Sequence, residues 1–122
     1  MRSKFFIVVC LTMSSLLANA SSPTAVQFFS GSLPSAKAQA EKEGKLVFVD
    51  FTAQWCLPCQ WMDETTFNDP QIADFIEENY IAVKIDVDHF DGVVWKEQYN
   101  IKMLPSMSVS YTHLTLPTKR IV

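Results

Sequence analysis

The sequence predicts an α/β fold, and three observations carry that prediction. Leu46-Val47-Phe48-Val49-Asp50-Phe51 is too short and too continuously apolar for a surface helix and reads as a central strand. Ile81, Val83, Ile85 and Val87 alternate with Ala82, Lys84 and Asp86, the period-two pattern of a second strand over Tyr80 to Val87. Between the two runs lie helix signals rather than a tight turn. The order strand, helix, strand, helix, Pro-interrupted strand is that of a fold built on a crossover unit.

At 122 residues the chain holds at most one domain. Met1-Arg2-Ser3-Lys4, an apolar stretch from Phe5 to Leu17 and then Ala18-Asn19-Ala20 have the three parts of a secretory signal peptide cut after Ala20. Thr12, Ser14 and Ser15 interrupt the apolar stretch, which falls short of the roughly 18 residues that a membrane span needs. Cleavage removes Cys10 and two positive charges, so the formal net charge goes from −3 to −5. A mildly acidic exported domain, periplasmic or extracellular, is the expectation. The absence of a basic cluster argues against nucleic acid as a partner.

Residues 21–32 read as an exposed lead-in whose Phe28 and Phe29 tuck against the body. Ser32 is placed to cap a short helix with Pro34 in its first turn and Gly44 at its stop. A helix from Cys59 should run through Trp61, Met62 and Thr65 toward Phe67. Asn68-Asp69-Pro70 looks like a restart with Asp69 as cap, and Ile72, Phe75 and Ile76 give the new helix its apolar face. Asp91-Gly92 opens a turn, and Val93 to Tyr99 should be helical. Ile101 to Met107, interrupted by Pro105, closes the pattern.

The chemistry concentrates at Trp55-Cys56-Leu57-Pro58-Cys59, between the first strand and the next helix. A helix beginning near Cys56 aims unpaired N–H groups and its positive end at that sulfur, favouring the thiolate. Cys59 lies one turn further in, within reach of Cys56 and better shielded. Such a pair can attack and then resolve a disulfide. An even cysteine count in an exported chain also fits a structural disulfide. A bridge closing so short a loop constrains little of the unfolded chain, which favours the redox reading.

From about Leu33 to Met107 the chain resembles the thioredoxin superfamily, in particular exported domains similar to the C-terminal domain of the transmembrane reductase DsbD. Val49 through Cys59 is close to that family's active-site stretch, and Thr66-Phe67-Asn68-Asp69-Pro70 looks like the DsbD-like branch. The resemblance implies a thioredoxin-like fold, a central mixed sheet flanked by helices. It makes Cys56 the nucleophile, Cys59 the resolving thiol and Asp50 the buried acid that takes the proton of Cys59. It matches Lys84 to a possible charge partner of Asp50, and Leu104-Pro105-Ser106 to a cis-proline loop that pairs with an extended substrate. Trp55 becomes a partly exposed apolar platform beside the sulfurs, against the alternative of simple core packing. For Lys84 the alternative is an ordinary outward-facing lysine on an alternating strand. The implied partners are protein thiols and disulfides, with a membrane electron donor if the direction is reductive, and no cofactor.

Two other readings compete. Cys56, Cys59 and Met62, with Met103 and Met107 flanking Pro105, suggest a soft copper(I) site, although core filling is the commoner use of methionine. Zinc needs two further ligands, and only His89 and His113 are on offer. Gln60 stands where covalent haem attachment requires His. The third reading is an inactive fragment of a longer redox protein. The resembled fold continues with two antiparallel strands and a closing helix, for which Met107 to Val122 is too short. Val109 to Thr118 also resembles the translation of a transposase adapter used in DNA library preparation. An incomplete domain over 33–108 and a non-native tail over 109–122 are therefore expected, although Met107, Val109 and Tyr111 alternate with serine and threonine as a strand would.

Overall fold

The computed structural model describes residues 21–111. Residues 1–20 with Cys10, over which a signal peptide is expected, and residues 112–122 with His113 lie outside the described residues. The elements run α1 (Leu33–Glu43), β1 (Leu46–Thr52), α2 (Leu57–Glu64), a 3-10 turn (Thr66–Asn68), α3 (Pro70–Asn79), β2 (Tyr80–Asp86), α4 (Phe90–Gln98) and β3 (Ser106–Ser110). They form the expected α/β arrangement. The sheet is mixed, in the order β2-β1-β3: β1 pairs parallel with β2 and antiparallel with β3.

Local chemistry explains the helix ends. Ser32 Oγ accepts from the Ser35 N–H at 3.3 Å, and Gly44 ends α1 at φ +66°, a left-handed conformation that costs a side chain energy. Asp69 Oδ1 accepts from the N–H groups of Gln71 and Ile72 at 2.8 and 3.2 Å, so α3 starts at Pro70 as the sequence predicts.

Both faces of the sheet are covered. On one, Val47, Val49, Phe51, Val83 and Ile85 pack beneath Leu33, Ala36 and Ala40 of α1, with Trp95 and Tyr99 at the border. On the other, Ala82 packs with Val26, Phe67, Ala73 and Ile76, joined by Phe48 and Met107. Each fully buried large side chain contributes roughly 1.5–3 kcal/mol. The alternation in β2 therefore separates two packed layers rather than core from water. Ala82 and Lys84 belong to the second layer.

Several expectations are corrected. Val26, in a lead-in expected to be exposed, is buried, while Phe28 and Phe29 tuck against the body as expected: Phe28 forms a parallel bridge with Ala82, and the Phe29 N–H donates to the Ala82 carbonyl at 2.7 Å. The helix from the cysteines stops at Glu64, and Phe67 reaches the core from the separate 3-10 turn. Ala73 and Ile76 form the buried face of α3, whereas Ile72 and Phe75 are exposed, Phe75 by 58%. Gly92 does not open a turn but lies inside α4, which begins at Phe90 after His89. A Cβ there would stand 1.8 Å from the Asp86 carbonyl oxygen, so only glycine lets α4 pass this close to the end of β2. Residues 101–105 are not strand. β3 begins at Ser106 and runs through Val109 and Ser110, where the alternation of Met107 and Val109 with serine suggested a strand, with its serines buried and Met107 and Val109 half-buried.

Candidate active site

Asp50 and Thr52 bring β1 to the end of the parallel pair, and the chain then turns into α2. The Cys56 N–H closes that turn on the Ala53 carbonyl at 3.1 Å, and Gln60 Nε2 ties the loop by donating to the Gln54 carbonyl at 2.7 Å. Cys56 is the residue capping α2, and its Sγ accepts from the Cys59 N–H at 3.2 Å. Pro58 has no N–H to offer, so the Cys59 amide is the first-turn donor aimed at the sulfur. A thiolate at Cys56 would receive the same hydrogen bond and the positive end of the helix.

Cys56 and Cys59 are joined in a disulfide, with Cα atoms 5.3 Å apart. Their burial corrects one expectation. In this oxidised state both are only 3% exposed, so Cys59 is no better shielded than Cys56.

Asp50 lies on β1 with only 2% of its surface exposed. Lys84 is its register partner on β2, and parallel neighbours present their side chains on the same face. Lys84 Nζ stands 3.5 Å from Asp50 Oδ2 and donates a hydrogen bond to Asp63 Oδ1 on α2. Burial pushes the Asp50 carboxyl up from 3.8 to about 6; the Lys84 ammonium pulls against that rise, and the nearby Asp63 carboxylate adds to it. Asp63 escaped the sequence reading. The signal was its spacing: Cys59 and Asp63, four apart on a helix, share one face. Asp63 meets Lys84, so the last turn of α2 reaches the Asp50–Lys84 pair.

Trp55 is 67% exposed, and its Nε1 donates to Asp88 Oδ2 at 2.7 Å, so the indole is pinned as a surface platform rather than packed in the core. Asp88 was also missed, since nothing in its spacing links it to Trp55. The Leu104–Pro105 bond is cis, and Leu104 packs at the border of the core that holds both cysteines. The Ser106 hydroxyl donates to the Met103 carbonyl at 2.7 Å within that loop. Met62 and Met107 pack among the apolar residues of the second layer, while Met103 is exposed. Core filling therefore accounts for Met62 and Met107. Among the described residues, no three His, Cys, Asp or Glu side chains gather where a cation would sit.

A thioredoxin-like family profile matches residues 27–109. The chain belongs to the thioredoxin-like family. Its relatives include the thiol:disulfide interchange protein DsbD of Pseudomonas fluorescens, 32% identical over 78 residues, which are 63% of this chain and 13% of that protein. An H-type thioredoxin of Oryza sativa subsp. indica is 34% identical over 70 residues, 56% of this chain and 51% of the relative. The chain thus spans a small part of the one and about half the length of the other. The oxidised C-terminal domain of Neisseria meningitidis DsbD has the same fold, with a TM-score of 0.60 and 22% identity over 80% of this chain and 86% of that one. This thioredoxin-like chain is accordingly a family member with a Cys-X-X-Cys disulfide.

Proposed function

We propose that this chain is a thiol–disulfide oxidoreductase that reduces disulfides of exported proteins or of partner redox domains. The observation that carries the reading is the Cys56–Cys59 disulfide at the start of α2, where the Cys59 N–H is aimed at Cys56 Sγ. In the reduced chain, the Cys56 thiolate attacks one sulfur of a substrate disulfide. A Cys56–substrate disulfide forms, the substrate S–S bond breaks, and the departing thiolate takes a proton from water. Cys59 then gives its proton to the Asp50 carboxylate and attacks Cys56 Sγ. The second substrate thiolate leaves and is protonated, and two electrons have moved from the dithiol to the substrate. A partner dithiol returns the chain to its reduced state by the same exchange in reverse.

We assign the surrounding residues supporting roles. Asp50 is the proton acceptor, with Lys84 as its charge partner. The exposed Trp55 and the Leu104–Pro105 loop form the apolar and backbone surfaces that receive an extended substrate. A leader of the secretory type and the likeness to DsbD support an exported, periplasmic site of action, with a membrane protein as the electron donor. The electrons pass between sulfurs alone, and the reaction as proposed calls on no cofactor.

Trapping tests the reading. Full-length chain carrying Cys59→Ser, first reduced and then mixed with insulin, is expected to accumulate a mixed disulfide through Cys56 that dithiothreitol releases. The unaltered chain should catalyse insulin reduction by dithiothreitol, and Cys56→Ser should abolish both reactions. Catalysis that survives Cys56→Ser would defeat the assignment.

A further inference from the structure

The Lys84 ammonium is enclosed on more sides than an ion pair needs. Asp50 Oδ2 lies 3.5 Å away and Asp63 accepts its hydrogen bond, but two aromatic rings also stand over it. The centroid of Phe28 is 4.5 Å from Nζ and that of Phe67 is 5.4 Å. The two rings meet edge to face at 5.3 Å, so each fixes the other. Phe28 is held from behind by its bridge to Ala82, two residues before Lys84 on the same strand, and by the Phe29 N–H on the Ala82 carbonyl. The Val26 N–H adds a bond to the Phe67 carbonyl at 2.8 Å. A segment that leads into the first helix is thus stitched to β2 and to the 3-10 turn, and the side chain it delivers sits on the one cation beside Asp50 among the described residues.

A lysine with its stem on β2 has an easy alternative. Asp63 is partly exposed, with 42% of its side chain open, and a Lys84 free to follow it toward solvent would leave Asp50 behind. Ring faces attract an ammonium and keep water from it, which confines Nζ to the side where Asp50 lies. We propose that Phe28 is a positioning residue of the redox site, whose ring holds the Lys84 ammonium against the Asp50 carboxyl. The inference rests on the reading of Asp50 as the proton acceptor for Cys59. The charged groups facing Asp50 are Lys84 from β2 and Asp63 from α2. Its β3 register partner is the uncharged Met107, and the 3-10 turn and the lead-in bring only Phe67 and Phe28.

The test is a titration of the Asp50 carboxyl by carbon-detected NMR in the oxidised full-length chain. Phe28→Leu and Phe28→Met keep an apolar side chain and remove the ring. Both are expected to raise the Asp50 midpoint by about half a pH unit, the direction that weaker hold on the ammonium dictates. Phe28→Tyr keeps the ring and should restore the unaltered midpoint. Lys84→Met should raise it at least as far as the ring-free variants do. Ring-free variants that titrate at the unaltered midpoint overturn the inference, as does Phe28→Tyr shifting as far as Phe28→Leu, and two ring-free variants guard against one failing to fold. The companion measurement is the pH profile of insulin reduction in Asp50→Asn. A profile unchanged there defeats the proton-acceptor role, whatever the NMR midpoints of the Phe28 variants show.

Discussion

At the scale of single residues, Asp50 sets stability against chemistry. A carboxyl raised from 3.8 to about 6 by burial binds more protons folded than unfolded between those values. Folding stability therefore falls as pH rises through this window, and the whole penalty is present above pH 6. Asp50→Asn removes it. Urea denaturation of the oxidised chain at pH 7.5 is expected to show the variant more stable by on the order of 1–3 kcal/mol, with the difference shrinking toward pH 4.5. An amide cannot accept the Cys59 proton, so insulin reduction at pH 7 should slow by about a hundredfold in the same variant. A variant both more stable and less active is the signature of a group kept for its proton rather than its packing. A variant destabilised at pH 7.5 would instead make the Lys84 ion pair the dominant role of Asp50.

Among the elements, the end of β2 does the most to position the site. The Asp86 carbonyl receives the His89 N–H at 3.2 Å, Asp86 Oδ1 receives the Asp88 N–H at 3.0 Å, and Asp88 in turn holds Trp55. Gly92 lets α4 settle against this knot. Alanine normally outdoes glycine inside a helix by about 1 kcal/mol, yet Gly92→Ala is expected to destabilise by about 2–3 kcal/mol because its Cβ meets backbone. A lowered urea midpoint at constant slope would show it, and a raised midpoint would mean that α4 can shift freely. This element also marks where the sequence is hard to read. Asp-Gly carries a strong local turn signal, and the clash that requires glycine involves a strand end whose place only the tertiary fold fixes. The caps at Ser32 and Asp69, the two parallel strands and the dithiol were legible because each is written in adjacent residues or in a short period. Phe28 over Lys84 and Asp88 on Trp55 were not, since those pairs are brought together by chain crossings rather than spacing. Lys84 stood in between: its alternation in β2 was plain, but whether its face met water or a second layer depended on Phe67, Ala73 and Ile76.

For the molecule as a whole, the disulfide closes a loop of sequence separation 3, and constraining so few residues is worth only about 2 kcal/mol. Two packed layers supply the rest of the stability, so the reduced chain is expected to keep its fold. Far-UV circular dichroism should be unchanged by excess dithiothreitol, with the urea midpoint moving only modestly. Collapse of the spectrum on reduction would recast the pair as a structural staple. The layered plan also has a kinetic side. β1 is hydrogen-bonded along both edges and covered on both faces, so its amide protons should be the last to exchange with heavy water, released only when the entire domain opens. Asp50 rides on that strand, whereas Cys56 sits where a helix begins. Thermal breathing that admits a substrate to the sulfur can thus run its course many times over while the carboxyl behind it stays dry.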